Sequence, residues 1–346
     1  MYLSELSKDR NNNLDIMRFF AAVCVIISHS IPLSKGEEYA DFISVYTSGS
    51  LSIGGIAVGI FFVAGGFLIS KSMERVKTAK DFFSSRCIRI FPPLIFVILI
   101  SVFVLGPVLT QLPLVSYFIN KNTYLYLINM ILIPVHALPG VFENNIYPEV
   151  VNGPLWTLPV EFICYILCFL AFKTKFFNKK NYLYTIPLAT VICALVLYLN
   201  NSFFTSVIRP VLLFYIGFGM YVLRDYIKLS AKYNFLAIII FILLLVMKCD
   251  FLAMILIFPY IVFYLAYGCK YKFSNFSRYG EFSYGMYLWG WPIGQTVCMF
   301  AGGHMNWILN AVIVSVIAIL FGVISYYAID RNVNKIYKKI MAVRQS

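Results

Sequence analysis

Residues 14–34 read LDIMRFFAAVCVIISHSIPLS, an apolar run of about twenty residues, long enough to cross a hydrocarbon core about 30 Å thick. Charge sits at its start, as Asp15 and Arg18, and an imidazole lies near its far end, as His29. Eleven residues at 3.6 per turn is close to three turns. Arg18 and His29 therefore share one helical face, about 16 Å apart along the axis. Ionisable groups are expensive inside a membrane, and two facing the same way point to a functional site. The plainer readings are a packing histidine bonded to a neighbouring helix and, for Asp15, a partner of the helix N-terminal dipole.

The rest of the chain continues in this manner. Of 346 residues, 61% are hydrophobic and 12% charged, which describes a polytopic membrane protein and not a soluble domain with a core. Apolar segments fall near 14–34, 51–70, 88–106, 123–139, 154–172, 182–199, 203–223, 234–248, 251–268, 281–301 and 306–329. The first reads as a retained helix, because no small-residue cleavage site follows a short apolar core. Most of the 28 basic residues cluster in the head, the tail and four loops, the latter including Lys71, Lys77, Arg86, Arg89, Lys175, Arg224, Lys270, Lys272 and Arg278. Cytoplasmic loops carry such an excess. All the clusters share one side only if 123–139 does not cross. That segment is also the weakest, containing Asn129, Pro134 and His136. The expectation is an all-α transmembrane bundle of about ten spanning helices with both termini cytoplasmic. Residues 107–153 form one outer excursion, with 123–139 non-spanning or re-entrant. No linker divides the chain, so 1–346 reads as one integral-membrane domain. The net charge of +13 is then a topology signal, which removes the need for a nucleic-acid partner. Eight scattered cysteines show no disulfide framework, and three histidines with few intramembrane carboxylates offer no metal ligand set.

Depth sorts the candidate site residues. His29 lies about 22 Å across from the cytoplasmic side, and Glu161 about 10 Å in from the other surface, so the two reach similar heights. Arg86 and Arg89, three residues apart, can share a face near the inner mouth with Arg18 and Asp15. They can equally be snorkelling anchors, although Arg suits phosphate in a fork geometry. Arg209, just before Pro210, is a candidate ion-pair partner for Glu161.

Five ordered blocks carry a family resemblance: LDIMR running to His29; FFVAGGFLIS over 61–70; RCIRIFPP over 86–93; NGPLWTLPVEF over 152–162, continued by Tyr165; and GEFSYGMYLW over 280–289. Together they resemble the acyltransferase 3 family of bacterial integral-membrane O-acyltransferases of surface glycans, in its stand-alone form, over residues 14 to about 335. Two positions depart from the family pattern. Gly290 stands where many relatives have His, and Gly65 where Ser is common.

The resemblance implies transfer of an acyl group, usually acetyl, from cytoplasmic acetyl-CoA to a hydroxyl of a surface polysaccharide or lipid-linked glycan, at the bacterial inner membrane. It implies donor phosphates on Arg86, Arg89 and Arg18. His29 becomes a general base or, alternatively, an acyl-imidazole carrier. Glu161 orients the imidazole or the acceptor, and Trp156, Tyr165, Asp15 and Arg209 lie on the substrate side. The competing reading from another class is a transporter or flippase for a lipid-linked sugar. The lack of an obvious internal repeat weakens it.

Overall fold

The computed structural model describes residues 1–75, 78–174, 178–198 and 202–345. Lys77 and Lys175 of the basic clusters lie outside them. No strand occurs among the described residues, where β pairing is limited to one isolated bridge, Tyr2 with Lys228. The ten expected spans are all helical: α1 Leu14–Lys35, α2 Ile53–Met73, α3 Ala79–Ile100, α4 Thr157–Lys173, α5 Lys179–Tyr198, α6 Ser202–Val222, α7 Ala231–Val246, α8 Asp250–Gly268, α9 Ser283–Phe300 and α10 Trp307–Ser325.

Among the described residues, six stretches are long and apolar enough to cross a membrane: Leu14–Lys35, Ile53–Met73, Ala79–Leu109, Gly153–Lys173, Asp250–Gly268 and Trp307–Ile340. Val207–Val222 and Ala231–Val246 are shorter apolar helices. The other two expected spans, α5 and α9, run 20 and 18 residues and carry more polar groups. Lys179, Lys180 and Asn181 open α5, while Gln295 and Thr296 interrupt α9. Several helices contain proline, among them α1 (Pro32), α3 (Pro92, Pro93) and α9 (Pro292). Membrane helices tolerate this when neighbouring groups re-satisfy the freed backbone.

Among the described residues, helical register changes at four π-turns, Ser101–Leu105, Ala253–Ile257, Tyr264–Gly268 and Tyr326–Asp330. They continue α3, interrupt and close α8, and extend α10. Each widens the backbone spiral locally, as π-bulges do.

The chain divides into two compact units. Unit one holds residues 1–21, 42–79 and 160–279; unit two holds 22–41, 80–159 and 280–346. The start of α1 thus belongs to unit one and the remainder to unit two.

Unit one is organised around the contact of α2 with α6. A Cβ added at Gly66 would lie 2.0 Å from the Phe214 carbonyl oxygen, and one at Gly217 would lie 2.0 Å from that of Val63. The two backbones touch through reciprocal glycines, the arrangement by which membrane helices gain close van der Waals contact. Phe67, fully buried, fills the next layer against Phe263 (ring centroids 4.8 Å), Tyr221 and Tyr267. Ser52 caps α2 by accepting from the Gly55 N–H at 2.9 Å, which satisfies one of the helix's orphan donors.

Unit two pairs α9 with α10, where Gly285 comes so near Gly322 that a Cβ would meet its Cα at 2.8 Å. The weak segment at 123–139 is not a membrane-spanning helix. It folds as a short helix, Lys121–Leu125, followed by a 3₁₀ turn, Tyr126–Ile131. Leu132 then adopts φ 65°. Asn129, buried, holds the reversal, donating to the Tyr126 and Val135 carbonyls (both 2.8 Å) and accepting from the Val135 N–H (3.0 Å). Asparagine serves such a turn because its amide mimics backbone.

The loop beyond is stapled to α9. Gln295, fully buried, donates to the carbonyls of Tyr147 (2.8 Å) and Val150 (2.9 Å). Asn145 donates to the Gln295 side-chain oxygen (2.8 Å) and carbonyl (3.0 Å). Asn152 donates to the Leu288 carbonyl at 2.9 Å. Each such bond contributes about 1 kcal/mol net, and leaving one of these buried groups unmade costs more. Reporter fusions on either side of 123–139, within 107–153, should therefore report the same membrane face. Opposite faces would mean that the segment crosses.

Candidate functional site

His29 occupies the unit-two part of α1, partly buried. The Trp291 ring of α9 meets it edge-on, with centroids 4.9 Å apart and planes at 72°. Trp291 is held in turn by its N–H on the Val150 carbonyl (2.9 Å). The imidazole thus leans on an aromatic wall fixed by the loop that Gln295 staples. Among the described residues, the acidic group that acts on His29 electrostatically is Asp41. Asp41 is 3% exposed, and its carboxylate accepts from the hydroxyl of Ser28, the residue preceding His29, at 2.8 Å. The sequence offers Glu161 to orient the imidazole or the acceptor and does not single out Asp41. Asp41 sits in a loop twelve residues beyond His29 and belongs to none of the five blocks. Its only advance signal was an acidic residue close behind a histidine-bearing helix.

Gly290, where the family pattern often has His, precedes Trp291 on α9. A Cβ there would sit 2.9 Å from Ile26 Cγ1, one turn before His29. A larger residue would need the Ile26 side chain to move, so the missing imidazole is matched by a close approach of α9 to α1.

Arg86 and Arg89 lie on α3, both partly buried. The Arg86 guanidinium stands over the Phe82 ring, 5.6 Å from its centroid, a favourable cation–π placement. Arg89 acts electrostatically on Asp330, as does Glu281, and Glu281 accepts a hydrogen bond from Ser283. Trp156, also in unit two, is partly buried in the 3₁₀ turn that opens α4. His136 is a loop residue. Its Nδ1 lies 3.3 Å from the Asn152 carbonyl, and its own carbonyl accepts from the Val151 N–H at 2.8 Å.

In unit one, Arg18 is 7% exposed and lies 3.6 Å from Asp15, three residues earlier on α1. Asp15 also accepts from the Ser277 hydroxyl. Glu161 accepts from the Tyr165 hydroxyl one turn later on α4, and Tyr165 is buried beside Phe214. The candidate ion pair of Glu161 with Arg209 does not form. Arg209 pairs with Asp250 at 3.1 Å and donates to the Ser50 carbonyl. The reason is local: Asp250 opens α8, a buried arginine needs a carboxylate, and Glu161 already has a phenol.

Among the described residues no group of three His, Cys, Asp or Glu is placed to hold a metal ion. Cys24, Cys164, Cys168 and Cys298 are free thiols.

An all-helical chain whose helices can cross a membrane, with ionisable side chains set inside them, defines a polytopic membrane protein with an embedded polar site. The acyltransferase 3 model, described as an acyltransferase domain, matches residues 11–327. The chain belongs to that family. It is 36% identical over 158 residues to an "O-acetyl transferase" of Shigella phage Sf6, covering 46% of this chain and 45% of that protein. It is 29% identical over 167 residues to "Nodulation protein 10" of Rhizobium leguminosarum bv. viciae, covering 47% and 44%. The chain spans less than half the length of these curated relatives. No solved structure matches it.

Proposed function

We propose that the chain is one membrane O-acyltransferase domain that moves an acyl group, acetyl in the first instance, from acyl-CoA to a hydroxyl of a surface polysaccharide or lipid-linked glycan. The observation that carries this reading is His29 on α1, held between the Trp291 ring and the field of Asp41, in a chain whose family match spans 11–327. The name of the phage relative supports acetyl and an oxygen acceptor.

In this reading His29 takes the acceptor hydroxyl proton as that oxygen attacks the thioester carbonyl. Coenzyme A leaves as the thiolate, and the proton follows to it or to solvent. Such a base contributes roughly 10²–10⁴ in rate, and a carboxylate such as Asp41 steadies the imidazolium that forms. Arg86, Arg89 and Arg18 bind the donor's phosphates, for which guanidinium fits in charge and geometry. Glu161 and Tyr165, bonded to each other, serve the acceptor together with Trp156, and Asp15 holds Arg18. Arg209, already engaged by Asp250, is given no substrate in this reading. The setting is the bacterial plasma membrane, with both chain ends cytoplasmic.

The test is direct. Membranes containing the protein, given acetyl-CoA labelled in the acetyl group, should pass label to an alkali-labile ester on surface glycan. A glycan that moves across the membrane without gaining an ester would replace the enzyme with a flippase. Changing Arg86 and Arg89 together to Ala should raise the KM for acetyl-CoA at least about tenfold, the loss of a charge-assisted contact worth about 1.5–3 kcal/mol. An unchanged KM would return both arginines to the role of helix-end anchors.

A further inference from the structure

The loop after α8 carries a lysine that the reading above leaves unused. The Nζ of Lys272 is buried and has no hydrogen-bond partner. Among the described residues, the one titratable group acting on it is the Cys269 thiol; burial pulls its pKa below the usual lysine value. An ammonium withdrawn from water with no acceptor is unfavourable and calls for a counter-charge.

The loop is also well fixed. Asn13, the residue before α1, donates to the carbonyls of Leu265 (3.0 Å) and Tyr271 (3.1 Å) and accepts from the Phe273 N–H (2.7 Å). Its own N–H donates to Ala266 at 2.9 Å. One asparagine therefore clamps the backbone on both sides of Lys272. Further along, Ser277 donates to Asp15, tying the loop to α1 a second time. Among the described residues no carboxylate pairs with Lys272, whereas Arg18, five residues after Asn13, has Asp15. Lys270 and Arg278 stand on either side of Lys272 in sequence.

We propose that Lys272 is a phosphate-binding residue of unit one, and that the phosphate is one of those on the acyl-CoA donor. This rests on the acyl-CoA reading above. A compact ammonium on a clamped loop acts on phosphate as a point charge, complementing planar guanidinium groups. A second source of the same chemistry is the phosphate of an anionic lipid headgroup.

The experiment uses the full chain purified in neutral detergent, titrated with coenzyme A, comparing wild type with Lys272→Met and Lys272→Arg. The expected result is a Kd raised at least about tenfold by Met and less by Arg. Equal affinity of wild type and Lys272→Met overturns the proposal. If Lys272→Met does not accumulate, Lys272→Gln takes its place under the same criteria. If wild type itself binds no coenzyme A, the donor reading has failed separately. Nanodiscs of phosphatidylglycerol against phosphatidylcholine then decide. A Tm rise in phosphatidylglycerol that Lys272→Met loses keeps the phosphate site and assigns it to lipid. No difference between the two overturns it.

Discussion

Acyl transfer should fall by at least about 10²-fold, to background in a cell assay, when His29 is replaced by alanine; the figure is the lower bound for a positioned general base. The substitution removes an edge-on contact with Trp291 but leaves that indole anchored on the Val150 carbonyl. The wall should therefore stand, and the variant should reach wild-type membrane levels. Loss of transfer with unchanged abundance separates chemistry from folding. Asp41→Asn is the informative companion. It preserves shape and a bond from Ser28 while removing the charge that acts on the imidazole, so transfer should drop in kcat by less than in His29→Ala, with donor KM unchanged. The measurement is acetyl ester on surface glycan by NMR, normalised to protein in the membrane. Full activity in His29→Ala would end the assignment of that residue.

Gly66→Leu should prevent the protein from accumulating. A Cβ at Gly66 meets the Phe214 carbonyl oxygen at 2.0 Å, and at Gly217 the Val63 carbonyl oxygen at the same distance. Backbone cannot swing aside as a side-chain tip does, so α2 and α6 would have to separate along their shared seam. Overpacking of this kind costs about 3 kcal/mol or more, a large fraction of ordinary stability. The neighbouring glycine supplies the control. At Gly65 a Cβ finds the Phe214 ring at 3.5 Å, ordinary contact, so Gly65→Ala should be tolerated. Gly65 is also where the family commonly carries Ser, and the space there accommodates a small side chain. Thermal unfolding in detergent, followed by gel filtration, checks both. A Gly66→Leu protein as stable as wild type would show that the seam can open without loss.

The helices were legible because membranes enforce long apolar runs, and the failure of 123–139 to span was legible because Asn129 and Pro134 interrupt it. What Asn129 does was not legible, since nothing in the local sequence says that its amide will pin Val135. The Arg18–Asp15 pair follows from helical spacing alone, as does Glu161 with Tyr165 one turn on. The carboxylate that pairs with Arg209 was not legible, because Asp250 lies forty-one residues away in sequence and only the folded chain brings it near. Gln295 stood unremarked in an apolar block, because the loop that needs its amide lies 150 residues earlier. The π-turns of α3, α8 and α10 escape pattern reading for a different reason. Each shifts the helical phase, so a stripe read at 3.6 residues per turn turns away from its true face beyond them.

The staple between Asn145 and Gln295 carries a consequence in time. A ribosome making about 5–20 residues per second needs roughly 8–30 s to travel the 150 residues separating them. Throughout that interval Asn145 has its loop but not its partner, and the aromatic wall beside His29 has no Trp291. The nascent chain can insert eight helices before the surroundings of its histidine exist. Under the role proposed for His29, a copy halted before Trp291 lacks the ring that the imidazole leans on.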